Sequence, residues 1–519
     1  MKLSPVIEAL LDPKSYPDPP AYVELKQTHI SYLFFIPDRV YKIKKPVDFG
    51  FLNFTTLDKR RHFCQQEVIL NRRLCPNIYL NVVEIKQAGK GINIGGEGRA
   101  VECAVEMKRL PKDRMMDIMI DRGEIKKEMI REAARVIATF HLRNATNGRI
   151  SSFGSPEAIE RNVGENFSQT EGYIGQTITR DEYNDIIEYT GDFLREKRPV
   201  FLKRMAGGMI KDCHGDIHSE HVCFSDGVMI FDCIEFNERF RYIDVISDIA
   251  FLAMDLDFHH RHDLSNLLCE EYQRLSGGDD GLFTLLNFYK SYRAYIRGKV
   301  EGFELNELEI PPEEKERVYH RAGRFFRLAH DYAIGGPKPL LVVICGLIGT
   351  GKSTISKTLG QRTGALVISS DITRKGLARI PLTERHYEGF DKGIYSEEFT
   401  EGTYKEMFAR AESFLKKGNN IIIDATFSKR RQRSDIVKVA KRLNIRPVFV
   451  ECTCPERIIR ERLEKRGKED GIISDGRWKI YPLQKRRYEA IEEVSPSGHI
   501  VADTSQPVER NIRLLLDRI

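Results

Sequence analysis

Residues 340–354 read Leu-Leu-Val-Val-Ile-Cys-Gly-Leu-Ile-Gly-Thr-Gly-Lys-Ser-Thr, and this stretch decides the fold of the chain's second half. The apolar run 340–345 has the length of a buried strand. It enters a glycine-rich turn with Gly346, Gly349, Thr350, Gly351, Lys352, Ser353 and Thr354, and an amphipathic segment follows. Strand, Gly-x-x-x-x-Gly-Lys-Ser turn and helix in that order form a phosphate-binding loop. Glycines let successive backbone N–H groups curl around phosphate oxygens, and the helix N-terminus favours the anion. Lys352 would then neutralise the β and γ phosphates of ATP while the Ser353 hydroxyl ligates Mg²⁺.

Immediately upstream, Gly335-Gly336-Pro337-Lys338-Pro339 relaxes the backbone and stops helix propagation, which sets a domain boundary there. The expected domains are therefore 1–335 and 336–519. Downstream, a second apolar run ends in Ser369-Ser370-Asp371, with Arg374 one helical turn further on, and a third, 420–423, delivers Asp424-Ala-Thr426. Strand ends of an α/β sheet lie over the ligand crevice. Asp371 can accept a proton from an attacking hydroxyl, Arg374 can hold a phosphate, and Asp424 suits Mg²⁺. The competing reading of each Asp is a strand-end cap. Residues 456–466 carry Arg462 and Arg466 four apart on one helix face, ahead of Gly467-Lys-Glu-Asp-Gly471. That pattern reads as a lid bringing arginines to the transferring phosphoryl group, against a plain solvated basic face. Residues 429–446 hold eight Lys or Arg against one Asp, more simply a surface helix than a track for nucleic acid.

These motifs resemble the small P-loop kinases of the gluconate-kinase, polynucleotide 5′-kinase and zeta-toxin type over about 180 residues. The resemblance implies a three-layer α/β/α parallel sheet and adds weight to Asp371 and Arg374. Its acceptors vary, so a hydroxyl-bearing small molecule and a nucleic-acid end both stay open.

The first half carries a second constellation. Cys213-His214-Gly-Asp216-Ile-His218-Ser-Glu-His221 is followed by Val228-Met-Ile-Phe-Asp232-Cys-Ile-Glu235. Two carboxylates sixteen residues apart, the second closing an apolar strand, form a phosphoryl-transfer arrangement. Asp216 would deprotonate the acceptor and Asp232 would hold the metal, a hairpin between them returning Asp232 to the site. Cys213, His214, His218, His221 and Cys223 crowd the segment, but their spacing lacks the pairs of a structural zinc site. Ser247-Asp248 reads as a helix start with capping roles. Upstream, residues 32–36 and 40–44 flank Pro37-Asp38-Arg39 as a hairpin, with a helix expected over 56–74, strands near 82–85 and 101–107, and a helix at 125–143. Residues 264–333 read as helical, broken at Pro311-Pro312.

The His-Gly-Asp-x-His segment resembles the catalytic loop of the aminoglycoside-phosphotransferase branch of the protein-kinase-like fold, a likeness covering most of residues 25–330. It implies a bilobal domain, α+β in class, with a small lobe at about 20–110 and a helical lobe at 111–335. It also implies Lys42 for the α and β phosphates, Glu67 as its partner, and 105–110, with Glu106 and Lys108, as an adenine-reading hinge. Lys42 and Lys44 share a strand face by parity, so the choice of Lys42 rests on the family pattern alone. Where the family has a metal-binding Asn, the fifth residue after Asp216, this chain has His221. Imidazole suits Mn²⁺ or Zn²⁺ better than Mg²⁺, so the substitution implies altered metal preference, weak activity or a regulatory nucleotide-binding role. The two-domain order resembles bacterial fusions of such a domain with an AAA-type ATP-binding partner, implying a bifunctional kinase.

Bulk properties agree with this frame. The chain has 519 residues, 41% hydrophobic and 30% charged, and a net charge of +6, too small to require nucleic acid. Asp12, Pro13 and Lys14 interrupt any signal-peptide core, no window of about 18 apolar residues exists, and the ten cysteines are scattered singly. A reduced cytoplasmic setting without a membrane span is the expectation.

Overall fold

The computed structural model describes residues 3–89, 91–305, 311–382, 384, 391–466 and 477–519. Two compact units emerge: Met1–Phe258 with His262–Val300 and Phe325–Ile334, and His259–Arg261 with Glu301–Arg324 and Gly335–Ile519.

In the first unit, strands β1 (Glu24–Gln27), β2 (Ser31–Phe35), β3 (Arg39–Lys44), β4 (Tyr79–Ala88), β5 (Gly91–Ile94) and β6 (Arg99–Lys108) make an antiparallel sheet in the order β1-β2-β3-β6-β4-β5. The 37–39 turn registers β2 against β3 with Leu33 opposite Lys42, and β3 pairs Lys42 with Val105 of β6. Alternation along β3 sends Tyr41 and Ile43 into one core with Phe34 and Ala104, and Val40 into another with Val105. Lys42 and Lys44 share the Val40 face, where the helix Leu57–Asn71 packs through Cys64 and Val68. Thr56 caps that helix by accepting from the Lys59 amide.

The helical remainder is organised around Val245–Phe258, every residue of which is buried, so it reads as a near-continuous apolar run rather than a stripe. Beside it are β7 (Ile210–Asp212), the hairpin of β8 (Val222–Ser225) and β9 (Gly227–Ile230), and β10 (Tyr242–Asp244), antiparallel to β7.

The second unit is built on five parallel strands, β11 (Leu341–Cys345), β12 (Leu366–Ser369), β13 (Ile421–Asp424), β14 (Pro447–Thr453) and β15 (His499–Asp503), ordered β12-β13-β11-β14-β15. Leu341, Val343 and Cys345 face one apolar layer with Tyr404, Met407 and Ala411 of the helix Glu397–Lys416. Val342 and Ile344 face the other, with Ile355 and Leu359 of the helix Lys352–Thr363. A parallel sheet covered on both faces needs this unbroken apolar strand, which is why residues 340–345 do not alternate. The layering is α/β/α.

Among the described residues no helix is long and apolar enough to cross a membrane. All ten cysteines are free thiols, nine of them buried.

Candidate functional sites

The phosphate-binding loop connects β11 to its helix through three residues with positive φ: Gly346 (131°), Gly349 (79°) and Gly351 (84°). Space also demands glycine. A Cβ on Gly346 would lie 2.5 Å from the Cys452 carbonyl oxygen, and one on Gly349 would lie 2.8 Å from Ile459. The loop is thereby clasped by β14 and by the helix Glu456–Arg466. Lys352 Nζ donates to the Leu347 carbonyl at 2.9 Å, laid back over the turn, and Ser353 and Thr354 are exposed.

Around the loop stand the other expected residues. Asp424 ends β13 opposite Ile344 and Ser369, and the adjoining Gly346 amide donates to Thr426 at 3.2 Å. Asp371 sits half-buried in the first turn of the helix Ser370–Leu377. Arg374, on the same helix, is buried; it donates to the Ile394 carbonyl at 2.5 Å and the Thr400 hydroxyl at 3.1 Å, with Tyr395 stacked 4.9 Å away. The guanidinium thus shapes the wall beside Asp371. Arg462 lies against the loop, donating to Thr504 Oγ1 at 3.1 Å and Thr504 O at 2.6 Å, while that hydroxyl donates to the Thr350 carbonyl at 2.7 Å. The Arg466 side chain and the 467–471 loop lie outside the described residues.

Lys352, Ser353, Asp371, Arg374 and Asp424 line one cavity of about 680 Å³. Its lining also includes residues the sequence had not flagged: Tyr395, Glu397, Glu398, Glu401 and Tyr404. Lys429 pairs with Glu397, and Arg431 reaches Glu401 at 2.9 Å. The basic helix Arg430–Arg442 is largely ion-paired, with Arg433 fully buried and donating to the Phe427 carbonyl at 2.7 Å. Ser353 and Asp424 offer oxygen donors, a set that fits Mg²⁺.

In the first unit, Lys42 Nζ lies 2.9 Å from Glu67 Oε1 and 2.5 Å from Asp232 Oδ1. Lys44 Nζ lies 2.7 Å from the other Glu67 oxygen and also pairs with buried Glu235. Both lysines therefore converge on one fully buried carboxylate. Burial alone would lower the Lys42 pKa, but Asp232 and Glu67 outweigh it and hold it well above the usual lysine range. Glu106 pairs across the sheet with Tyr41 and bonds Arg39 at 2.6 Å, so its side chain lies on the face away from Lys42 and only its backbone can serve a ligand there. Lys108 is exposed at the end of β6.

Asp216 follows Gly215, whose φ is 89° and whose Cβ would lie 2.6 Å from the Phe240 carbonyl oxygen. The loop is held from below. Asp248, wholly buried in the helix Val245–Phe258, accepts from the His214 and Gly215 amides, each at 2.9 Å. Its expected capping role belongs instead to Asp244, which accepts from the Ile246 amide at 2.8 Å and pairs with Arg204. Burial pushes the Asp216 carboxyl up, yet His218, His221 and Arg297 outweigh it and keep the group anionic, with 32% of the side chain exposed. Burial, His221 and Arg297 lower the His218 pKa, and burial takes His214 down to about 4.

Asp232 has φ 63°, a strained value for a non-glycine residue, and turns its carboxylate back to the site. Lys42 and His221 overcome the effect of its burial and hold its pKa low. His221 stands between the two carboxylates, Nδ1 3.4 Å from Asp216 Oδ2 and Nε2 3.6 Å from Asp232 Oδ2. A nitrogen donor in that place does not fit hard, oxygen-seeking Mg²⁺.

Residues 341–491 match a family model described as an AAA domain, which covers less than a third of the chain. The uncharacterised proteins Rv2004c of Mycobacterium tuberculosis and Mb2027c of Mycobacterium bovis are each 28% identical over 510 residues, 98% of this chain and 97% of theirs. Among solved structures, a gluconokinase from Sinorhizobium meliloti aligns at 20% identity over 34% of this chain and 90% of its own, TM-score 0.25. An APS kinase from Mycobacterium tuberculosis aligns at 17% over 35% and 98%, also with a TM-score of 0.25. The second unit is a parallel sheet that carries a phosphate-binding loop, and the AAA-domain match falls on it.

Proposed function

We propose that the chain is a tandem ATP-dependent phosphotransferase, with one kinase domain before about residue 336 and a P-loop kinase domain after it. For the P-loop domain the observation that carries this reading is the 680 Å³ cavity in which the phosphate loop, Asp371 and Asp424 meet. Lys352 and Arg462 would neutralise charge on the transferring phosphoryl group, and Asp371 would take the proton of the acceptor hydroxyl. Ser353 and Asp424 would hold Mg²⁺, which when bound draws charge from the β and γ phosphates.

The acceptor side carries Asp391, Glu397, Glu398, Glu401 and Asp435 among its lining. Lys405, Lys429, Arg431 and Arg487 line it too, so the wall is mixed in charge and lacks the one-sided basic track that a phosphodiester backbone calls for, which favours a small hydroxylated acceptor over a polynucleotide end. In the first unit, the lysine–glutamate–aspartate chain of Lys42, Glu67 and Asp232, with Asp216 opposite, supports the protein-kinase-like, aminoglycoside-phosphotransferase-like reading suggested by the sequence. There Asp216 orients and deprotonates a second acceptor and Lys42 binds the α and β phosphates. A second reading, favoured by His221 in the metal position, keeps nucleotide binding in this domain and drops transfer. Free thiols throughout fit a reducing cytoplasm.

An acceptor panel of sugars, polyols and 5′-hydroxyl oligonucleotides, with γ-labelled ATP and the full chain, tests the proposal. Label should pass to small hydroxyl compounds, and Lys352→Ala should remove one set of products while Asp216→Asn removes another. Labelling of oligonucleotides alone would overturn the small-molecule acceptor, and products untouched by Asp216→Asn would reduce the first domain to a binding module.

A further inference from the structure

We propose that the amino-terminal site takes a borderline divalent cation of the Mn²⁺ class, through His221 Nε2 and Asp232 Oδ2, in place of Mg²⁺. This inference rests on the phosphotransferase reading of that domain and specifies its metal.

The His221 ring settles its own chemistry. Its Nδ1 lies 3.0 Å from the backbone carbonyl oxygen of Asp216. A carbonyl can only accept, so Nδ1 carries the proton and Nε2 presents a lone pair. That lone pair faces the Asp232 carboxylate at 3.6 Å. Two electron-rich atoms this close are bridged by a donor or a cation, and a metal ion does so from one centre. The spacing suits the metal: donors about 2.0–2.2 Å from one ion stand roughly 3.0–3.6 Å apart in octahedral or tetrahedral geometry. An imidazole whose other N–H is fixed by a backbone carbonyl is also the usual arrangement of a ligating histidine.

The carboxylate is set up for the same purpose. Lys42 takes Oδ1 at 2.5 Å, leaving Oδ2 for the ion. Backbone pairing ties the two ligands together, since the Phe231 amide donates to the His221 carbonyl at 3.1 Å. A second imidazole lies close by: the His218 ring is centred 4.0 Å from that of His221 and is 2% exposed. Its Nδ1 has no hydrogen-bond partner among the described residues. Donor atoms of Asp216, His218 and His221 all fall within 4.8 Å of one another. One carboxylate oxygen and one imidazole nitrogen disfavour Mg²⁺ and favour Mn²⁺, Co²⁺ or Zn²⁺.

The test uses the full chain carrying Lys352→Ala, which silences the P-loop, with Mn²⁺ and inorganic tripolyphosphate, a nitrogen-free stand-in for the nucleotide phosphates. Pulsed electron paramagnetic resonance should show ¹⁴N coupling to bound Mn²⁺, and protein grown with ¹⁵N-histidine should convert it to ¹⁵N coupling. The second result needs no variant at the site. His221→Asn should abolish the coupling and shift the Mn²⁺:Mg²⁺ preference toward Mg²⁺ by about tenfold or more. Mn²⁺ bound with oxygen donors alone, or coupling that survives His221→Asn, would overturn the metal assignment and leave the kinase reading standing. No uptake of Mn²⁺ and tripolyphosphate at all would remove both.

Discussion

Replacing Asp248 with asparagine separates the support of the amino-terminal loop from its chemistry, because Asp248 reaches neither acceptor nor nucleotide. The side chain is 0% exposed, accepts from the His214 and Gly215 amides, and lies 3.1 Å from His141 Nε2. Burial raises its carboxyl, but His141, His214 and the His214 amide prevail and take it from 3.8 to about 2. That displacement corresponds to about 2 kcal/mol favouring the folded, ionised state. Asparagine keeps one acceptor and turns a donor toward the other amide, orphaning it at a further cost of about 1–3 kcal/mol. The expected loss is therefore about 3–5 kcal/mol at pH 7. Because the folded-state pKa is depressed, the charge-dependent part is fully present above about pH 4 and disappears as pH falls toward 2. The difference between wild type and variant should narrow by roughly 2 kcal/mol over that window. The only tryptophan, Trp478, belongs to the second unit, so calorimetry should show the shift in an endotherm that tryptophan fluorescence does not follow. A loss below about 1 kcal/mol at pH 7, or one independent of pH, refutes the reasoning.

The second unit gives three further expectations. Asp371→Asn should lower turnover of the P-loop domain by about 10²–10⁴-fold while nucleotide affinity stays within about twofold, measured by single-turnover transfer and nucleotide titration. Gly346→Ala forces a Cβ to 2.5 Å from the Cys452 carbonyl oxygen at φ 131°, and should weaken nucleotide binding at that loop by more than about tenfold in the same titration. Arg433→Ala removes a fully buried guanidinium that donates to the Phe427 and Ala490 carbonyls and pairs with Glu493; the expected cost of about 3–5 kcal/mol should appear as a drop of roughly 6–20 °C in the Trp478 melting curve.

How much of this was legible in the sequence depends on how local each feature is. The phosphate loop was readable because strand, glycines, lysine and helix are contiguous, and the 31–44 hairpin because Pro37-Asp38-Arg39 punctuates two apolar runs. Parity along β3 put Lys42 and Lys44 on one face but could not choose between them, and Glu67 accepts both because a carboxylate has two oxygens. Asp248 looked like a helix cap because a Ser-Asp pair in a first turn gives the same signal as a buried loop anchor; its partners lie 33 and 34 residues earlier. Glu235 stood inside the quoted motif without a role, since nothing in a sequence indicates that it reaches Lys44, 191 residues away. Glu397, Glu398 and Glu401 left no signal beyond an ordinary charged helix start, and their place in the same cavity as Asp371 comes only from the packing of the fold.

The central claim is that the chain holds two nucleoside triphosphates, one on each set of carboxylates. Native mass spectrometry of the full chain with a non-hydrolysable ATP analogue, in Mg²⁺ and again in Mn²⁺, counts them directly. Two nucleotides per chain in Mn²⁺, with one left after Lys352→Ala and that one lost again on adding Lys42→Ala, is the predicted result. A wild-type chain that never takes up more than one, or a Lys352→Ala chain that still takes up two, contradicts it.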